Sequence, residues 1–118
     1  MRDLQDLRIL VVEDDYVIAM DLAWVLSDLG ATVLGPAPSA EEATQIIREQ
    51  GDELDAAILD INLGSHCVFA VADLLRERRL PFVFATGYDA WTIPEPYRDV
   101  PRCDKPVNPA DVVRYLRP

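Results

Sequence analysis

A doubly wound α/β domain on a five-stranded parallel sheet is the fold expected of these 118 residues, and two features point to it. Arg8-Ile9-Leu10-Val11-Val12 and Ala56-Ala57-Ile58-Leu59-Asp60-Ile61-Asn62 are apolar runs without polar alternation, as strands buried on both faces require. Between such runs, apolar residues recur at helical spacing, so strand and helix alternate along the chain and the sheet is parallel.

The first run ends in three acids, Glu13, Asp14 and Asp15. Ile18, Leu22, Val25, Leu26 and Leu29 then form a helical face closed by Gly30. Ala31-Thr32-Val33-Leu34-Gly35 reads as a second strand, broken by Pro36-Ala37-Pro38. Ser39 with Glu42 makes a capping box for a helix with Ala43, Ile46 and Ile47 inward, and Gly51 reads as its stop. After the Asp60 strand, Val68, Val71, Ala72 and Leu75 mark a third helix, with Arg76, Arg78 and Arg79 favourable at its end. Pro81-Phe82-Val83-Phe84-Ala85 is a fourth strand leading into Thr86-Gly87-Tyr88. Pro94, Pro96 and Pro101 leave room for no more than a turn around Ala90 to Thr92, so the fourth helix is shortened or irregular. Pro101 to Pro106 suits a short edge strand, and Asn108 caps a last helix with Pro109 at its first position and Val112, Val113 and Leu116 inward.

Half of the residues are apolar, enough for a core, and the length suits one domain. No run approaches a membrane span, and Met1 to Asp6 lacks the apolar segment of a signal peptide, so a soluble cytoplasmic protein is expected. A net charge of −10 argues against nucleic acid and anionic membranes as partners and favours proteins or cations. Cys67 and Cys103 read as buried free thiols. The single histidine, His66, reads as a solvated loop residue. A catalytic dyad of Cys67 and His66 is disfavoured, because sequence neighbours rarely face one another and no orienting group accompanies them.

Right-handed crossovers bring all strand carboxyl ends to one sheet edge, where open α/β sheets bind ligands. That edge collects Glu13, Asp14, Asp15, Asp60, Thr86 and Lys105. Converging carboxylates repel unless protons or a cation neutralise them, and an all-oxygen pocket selects a hard ion, Mg²⁺ first, with Mn²⁺ or Ca²⁺ as alternatives. Lys105 is the only lysine among eleven cationic residues. Its compact ammonium suits a phosphoryl oxygen, and Thr86 adds a hydroxyl. Carboxylate nucleophile, metal, lysine and hydroxyl together make an aspartyl-phosphate site. The plainer alternative is a ring of surface charges holding a structural ion.

Val11-Val12-Glu13-Asp14-Asp15, Leu59-Asp60-Ile61-Asn62, Ala85-Thr86-Gly87 and Lys105-Pro106, each at the end of its strand, resemble a two-component response-regulator receiver domain over essentially all of residues 1–118. The expected fold is then flavodoxin-like, with strand order 2-1-3-4-5. The resemblance implies that Asp60 accepts phosphate from a histidine kinase or a phosphotransfer protein. It also implies that Asp14, Asp60 and the Asn62 carbonyl bind Mg²⁺ with Glu13 assisting through water, that Thr86 and Lys105 contact the phosphoryl group, and that the Lys105-Pro106 peptide is cis. Phe84-Ala85-Thr86-Gly87-Tyr88 resembles the FATGUY subclass, mostly single-domain regulators working with HWE-type histidine kinases. No DNA-binding output domain is expected, since the sequence ends after its last helix.

The expected function is a phosphorylatable signalling module, a relay, phosphate sink or sequestering partner acting on a downstream protein. Such a module assists its own phosphoryl transfer and is not an enzyme in the usual sense. The enzyme-class rival, a small aspartate-nucleophile phosphatase of the haloacid dehalogenase kind, needs an acid where Asn62 stands. A receiver that binds partners without phosphorylation would have no use for the retained acids, Thr86 and Lys105. Receivers commonly carry an aromatic switch residue three positions before the lysine, but here that residue is Arg102. The readout is therefore expected elsewhere, as a change of order in Tyr88 to Val100, with Trp91 and Tyr97 as partner contacts.

Overall fold

The structure, a computed structural model, describes residues 4–61, 67–87 and 93–116, with Cys67 described by its backbone alone. Strands β1 (Arg8–Val12), β2 (Thr32–Ala37), β3 (Ala56–Asp60), β4 (Phe82–Thr86) and β5 (Arg102–Asp104) alternate with helices α1 (Tyr16–Asp28), α2 (Ala40–Gln50), α3 (Cys67–Glu77) and α4 (Pro109–Leu116). The strands form one sheet in the order β2-β1-β3-β4-β5, every neighbouring pair parallel. The doubly wound, flavodoxin-like order is as expected.

Apolar runs without alternation work here because both sheet faces are covered. Leu10, Val12, Leu59 and Phe84 meet Ala43 and Ile47 of α2 and Val71 and Leu75 of α3 on one side. Ile9, Val11, Ile58 and Val83 meet Leu22 and Leu26 of α1 and Val112 and Leu116 of α4 on the other. Each fully buried Val, Leu, Ile or Phe among these contributes roughly 2 kcal/mol by leaving water. Every residue of β3 and β4 is buried, so the two strands whose ends carry Asp60 and Thr86 are enclosed along their whole length.

The local stop and start signals act largely as read. Ser39 Oγ accepts from the Glu42 N–H at 3.2 Å, Asn108 Oδ1 accepts from the Ala110 N–H at 2.8 Å, and Gly30 takes φ +97° after α1. The Lys105-Pro106 peptide is cis. Gly51 differs: it opens a 3₁₀ turn, Gly51–Glu53, with right-handed φ −58°, instead of terminating α2 in a left-handed conformation.

A larger difference concerns β2, expected to break at Pro36. It runs on to Ala37. Proline is tolerated because β2 lies at the sheet edge, where a missing N–H has no ladder partner to leave unsatisfied. The pairing register with β1 shifts between Leu10 and Val12, and Gly35 supplies φ +90° at that irregularity. A Cβ on Gly35 would lie 2.6 Å from the Ala37 nitrogen, so only glycine fits. The extension has a use: the Ala37 carbonyl accepts from the Glu13 N–H at 3.0 Å, fixing the backbone that carries the first acid of the edge.

Between β4 and β5, the described residues contain one 3₁₀ turn, Glu95–Tyr97. The turn expected around Ala90 to Thr92, together with Tyr88 and Trp91, lies outside the described residues. Residues 93–100 are anchored at three points: Ile93 and Val100 are buried, and Tyr97 packs against the core. Cys103 is a free thiol, and burial pushes its pKa up to about 11. His66 and the Cys67 side chain lie outside the described residues. Among the described residues no helix is long and apolar enough to cross a membrane.

Candidate functional site

The carboxyl edge of the sheet is assembled by backbone register. Asp60 pairs with Ala85, and the Ile61 N–H donates to the Ala85 carbonyl at 3.0 Å, so the ends of β3 and β4 are level. The Lys105 N–H donates to the Thr86 carbonyl at 3.0 Å, which brings the residue after β5 to the same level. Three residues far apart in sequence thus reach one point through ladder geometry alone.

The three acids after β1 have three different places. Asp15 is the N-cap of α1, its Oδ1 accepting from the Ile18 N–H at 3.1 Å, and so serves the helix. Asp14 is exposed. Glu13 is buried and faces inward; its Oε2 accepts from the Asp15 N–H at 3.1 Å and its Oε1 lies 2.8 Å from Lys105 Nζ. Lys105 Nζ also donates to Asp60 Oδ1 at 2.8 Å. One ammonium therefore bridges two carboxylates that are 4% and 2% exposed, and its own side chain is 18% exposed.

The charges adjust to this enclosure. Burial, reinforced by the neighbouring Asp60 carboxylate and opposed by Lys105, raises the Glu13 pKa from 4.5 to about 7. Burial works against the Lys105 charge, but hydrogen bonds to Asp60 and Glu13 outweigh it and hold the ammonium above its ordinary value. Thr86 is fully buried, and its hydroxyl has no hydrogen-bond partner among the described residues. Leaving a buried hydroxyl unmatched costs about 1–3 kcal/mol, which makes Thr86 Oγ1 ready to accept a partner brought into the site.

Glu13, Asp14 and Asp60 each offer a carboxylate oxygen, all within 4.8 Å of one another. An all-oxygen set with surplus negative charge fits a hard divalent cation such as Mg²⁺. Asn62, expected to add its carbonyl, lies outside the described residues. The structure thus brings together Glu13, Asp14, Asp60, Thr86 and Lys105, and assigns Asp15 to a helix cap. Two features escape a reading of the residues: Lys105 binds Glu13 as well as Asp60, and β2 props Glu13 from behind.

No model of a known protein family matches the chain. Individual relatives are clear. SdrG from Pseudomonas melonis Fr1, solved in its BeF3-activated conformation, superposes with a TM-score of 0.76 at 38% identity over 92% of each chain. The PhyR response regulator REC domain of Erythrobacter litoralis superposes with a TM-score of 0.74 at 25% identity, covering 96% of this chain and 88% of that one. The phyllosphere-induced regulator PhyR of Methylorubrum extorquens is 34% identical over 112 residues, 90% of this chain and 42% of that protein. The chain spans less than half the length of the curated relatives it matches. The fold shared with these relatives is that of a signalling module. The chain belongs to the response-regulator receiver family, and its setting is two-component signalling.

Proposed function

We propose that Asp60 is the phosphoacceptor of a two-component phosphorelay and that residues 1–118 act as one receiver domain. The observation that carries this reading is the Lys105 ammonium, 2.8 Å from a buried Asp60 oxygen, at the sheet edge that also carries Thr86, whose buried hydroxyl has no partner among the described residues. In the transfer, an Asp60 carboxylate oxygen forms a bond to phosphorus while the bond from phosphorus to the imidazole nitrogen of a phosphohistidine breaks, and the imidazole leaves with the electron pair. Lys105 and Thr86 are placed to contact phosphoryl oxygens, the first by charge and the second by its O–H. Glu13, whose Oε1 is also 2.8 Å from the ammonium, helps to hold Lys105 in position.

Glu13, Asp14 and Asp60 would hold Mg²⁺, with Mn²⁺ or Ca²⁺ as substitutes and the Asn62 carbonyl as a further ligand. When bound, the ion supplies positive charge against the phosphoryl oxygens. The donor is a histidine kinase, by the FATGUY resemblance of the HWE type, or a phosphotransfer protein in the cytoplasm. The output is a changed contact with a downstream protein. Support for a protein partner comes from α1, whose exposed Tyr16, Val17, Met20 and Trp24 stand beside a cleft of about 400 Å³ lined by Ile18, Leu22, Val25 and Lys105. Several large apolar side chains exposed along one helix suit a protein contact. Acetyl phosphate with Mg²⁺, followed by intact mass, tests the assignment: one phosphoryl group on the wild type and none on Asp60→Asn is expected. Equal labelling of both would refute it.

A further inference from the structure

Strand β2 meets β1 with one residue too many. Thr32 donates its N–H to the Leu7 carbonyl at 2.7 Å, and in a parallel pair every second residue of a strand donates in this way to the same neighbour. Leu34 is next, opposite Leu10, and in regular register Pro36 would follow, opposite Val12. Pro36 has no N–H to give. The register shift resolves the conflict by setting Ala37 opposite Val12 instead. Gly35 makes the shift possible: at φ +90° it turns the chain so tightly that a Cβ would stand 2.6 Å from the Ala37 nitrogen and 3.2 Å from the Val11 carbonyl oxygen. The Ala37 carbonyl, so placed, accepts from the Glu13 N–H at 3.0 Å. Glu13 is therefore held at both ends, its backbone by β2 and its carboxylate by the Asp15 N–H and Lys105. Asp14 is exposed and takes its place from its neighbours, Glu13 on one side and the α1 cap Asp15 on the other.

We propose that Gly35 is a positioning residue for the cation site, setting through Ala37 where Glu13 and Asp14 stand relative to Asp60. This rests on the reading of those three carboxylates as the Mg²⁺ set. Their oxygens lie within 4.8 Å of one another, and Mg²⁺ tolerates little departure from octahedral geometry, so a small shift of two ligands is felt as affinity. A side chain at position 35 would press on backbone atoms and not on the yielding end of a long side chain. It would also be strained at positive φ. Ala37 and Val11 are 1% and 0% exposed, so neither can step aside into solvent. The displacement therefore passes to the Ala37 carbonyl and on to Glu13. Val33 offers no such route, because it precedes the shift and pairs in regular register with Ile9.

Gly35→Ala and Val33→Ala separate positioning from strand stability alone, since both weaken β2 but only the first disturbs the register shift. Calorimetric titration of the metal-free full chain with MgCl₂ should show roughly tenfold weaker binding in Gly35→Ala, the scale on which groups behind metal ligands act. Val33→Ala should bind as the wild type does, with circular dichroism showing that each variant is folded. In the wild type, saturating Mg²⁺ should slow amide exchange at Glu13 and Ala37 more than at Thr32 and Val33, because the anchor and the ion favour each other reciprocally. That measurement decides the matter even if Gly35→Ala does not fold. Wild-type affinity in folded Gly35→Ala, an equal loss in Val33→Ala, or no preferential protection at Glu13 and Ala37 would overturn the positioning role while leaving the cation site intact. A wild-type chain that takes up no Mg²⁺ would overturn the cation reading itself, and the role of Gly35 with it.

Discussion

Two clusters in this chain gather carboxylates and a cation around one group, and they differ chiefly in their access to water. At the sheet edge Lys105 joins Glu13 and Asp60, both almost wholly buried. On α3, Arg76 joins Asp99 while Asp73 takes the Tyr97 hydroxyl, and the Arg76 and Asp99 side chains are 38% and 79% exposed. The same distance, 2.8 Å in all three ion pairs, therefore carries different energies. The enclosed cluster has given up hydration that only its partners replace, so removing one member is costly and charge states shift. Water can replace any member of the exposed cluster, so it is weak and easily reset. The first suits a site that must stay assembled, while the second can lose a member at little cost.

Substitutions at either cluster put this contrast at risk, and the largest effect belongs to the enclosed one. Asp60→Asn is expected to abolish phosphoryl incorporation while keeping the fold, read by intact mass and circular dichroism. Lys105→Met leaves two buried carboxylates facing each other. It should destabilise the metal-free chain by about 2–3 kcal/mol near neutral pH in urea titrations, with part recovered on adding Mg²⁺. A destabilisation no larger than at an exposed pair would put the two clusters on the same footing.

Next comes pH. A carboxyl whose pKa rises on folding, as Glu13's does from 4.5 to about 7, binds more protons in the folded than in the unfolded state across that window. Its stabilising contribution is present below about 4.5 and is lost as pH climbs through about 7, on the order of 2–3 kcal/mol in the absence of metal. Melting of the metal-free chain should therefore shift upward as pH falls from about 7.5 to 5, and Glu13→Gln should flatten that slope. A slope that persists in Glu13→Gln would assign the effect to other groups. The smallest expected effect is that of Arg76→Gln, under about 1 kcal/mol of stability, although the guanidinium bonds Pro96 and Asp99 and covers the Tyr97 ring. A larger effect in urea titrations would show that exposure does not weaken the α3 cluster as the contrast requires.

Much of this was legible in the residues because it is encoded locally. The buried strands are runs without alternation, the caps at Ser39 and Asn108 act within three residues, and register follows once strand ends are known, so Asp60, Thr86 and Lys105 could be placed on one edge by topology alone. What local signals cannot hold is how a side chain divides its bonds among distant neighbours. Asp15 looks like a fourth acid of the edge until α1 claims it as a cap. Pro36 looks like a strand end until β2 turns out to be an edge strand, where the missing N–H costs nothing. Tyr97 looks like a free contact for a partner until α3 supplies Phe69, Asp73 and Arg76 around it. The order of residues thus settles which chemical groups are present and which strand end carries each. Their burial and pairing, which here separate an enclosed, pKa-shifted site from an exposed surface cluster, arise only on folding, because desolvation and long-range packing depend on every element at once.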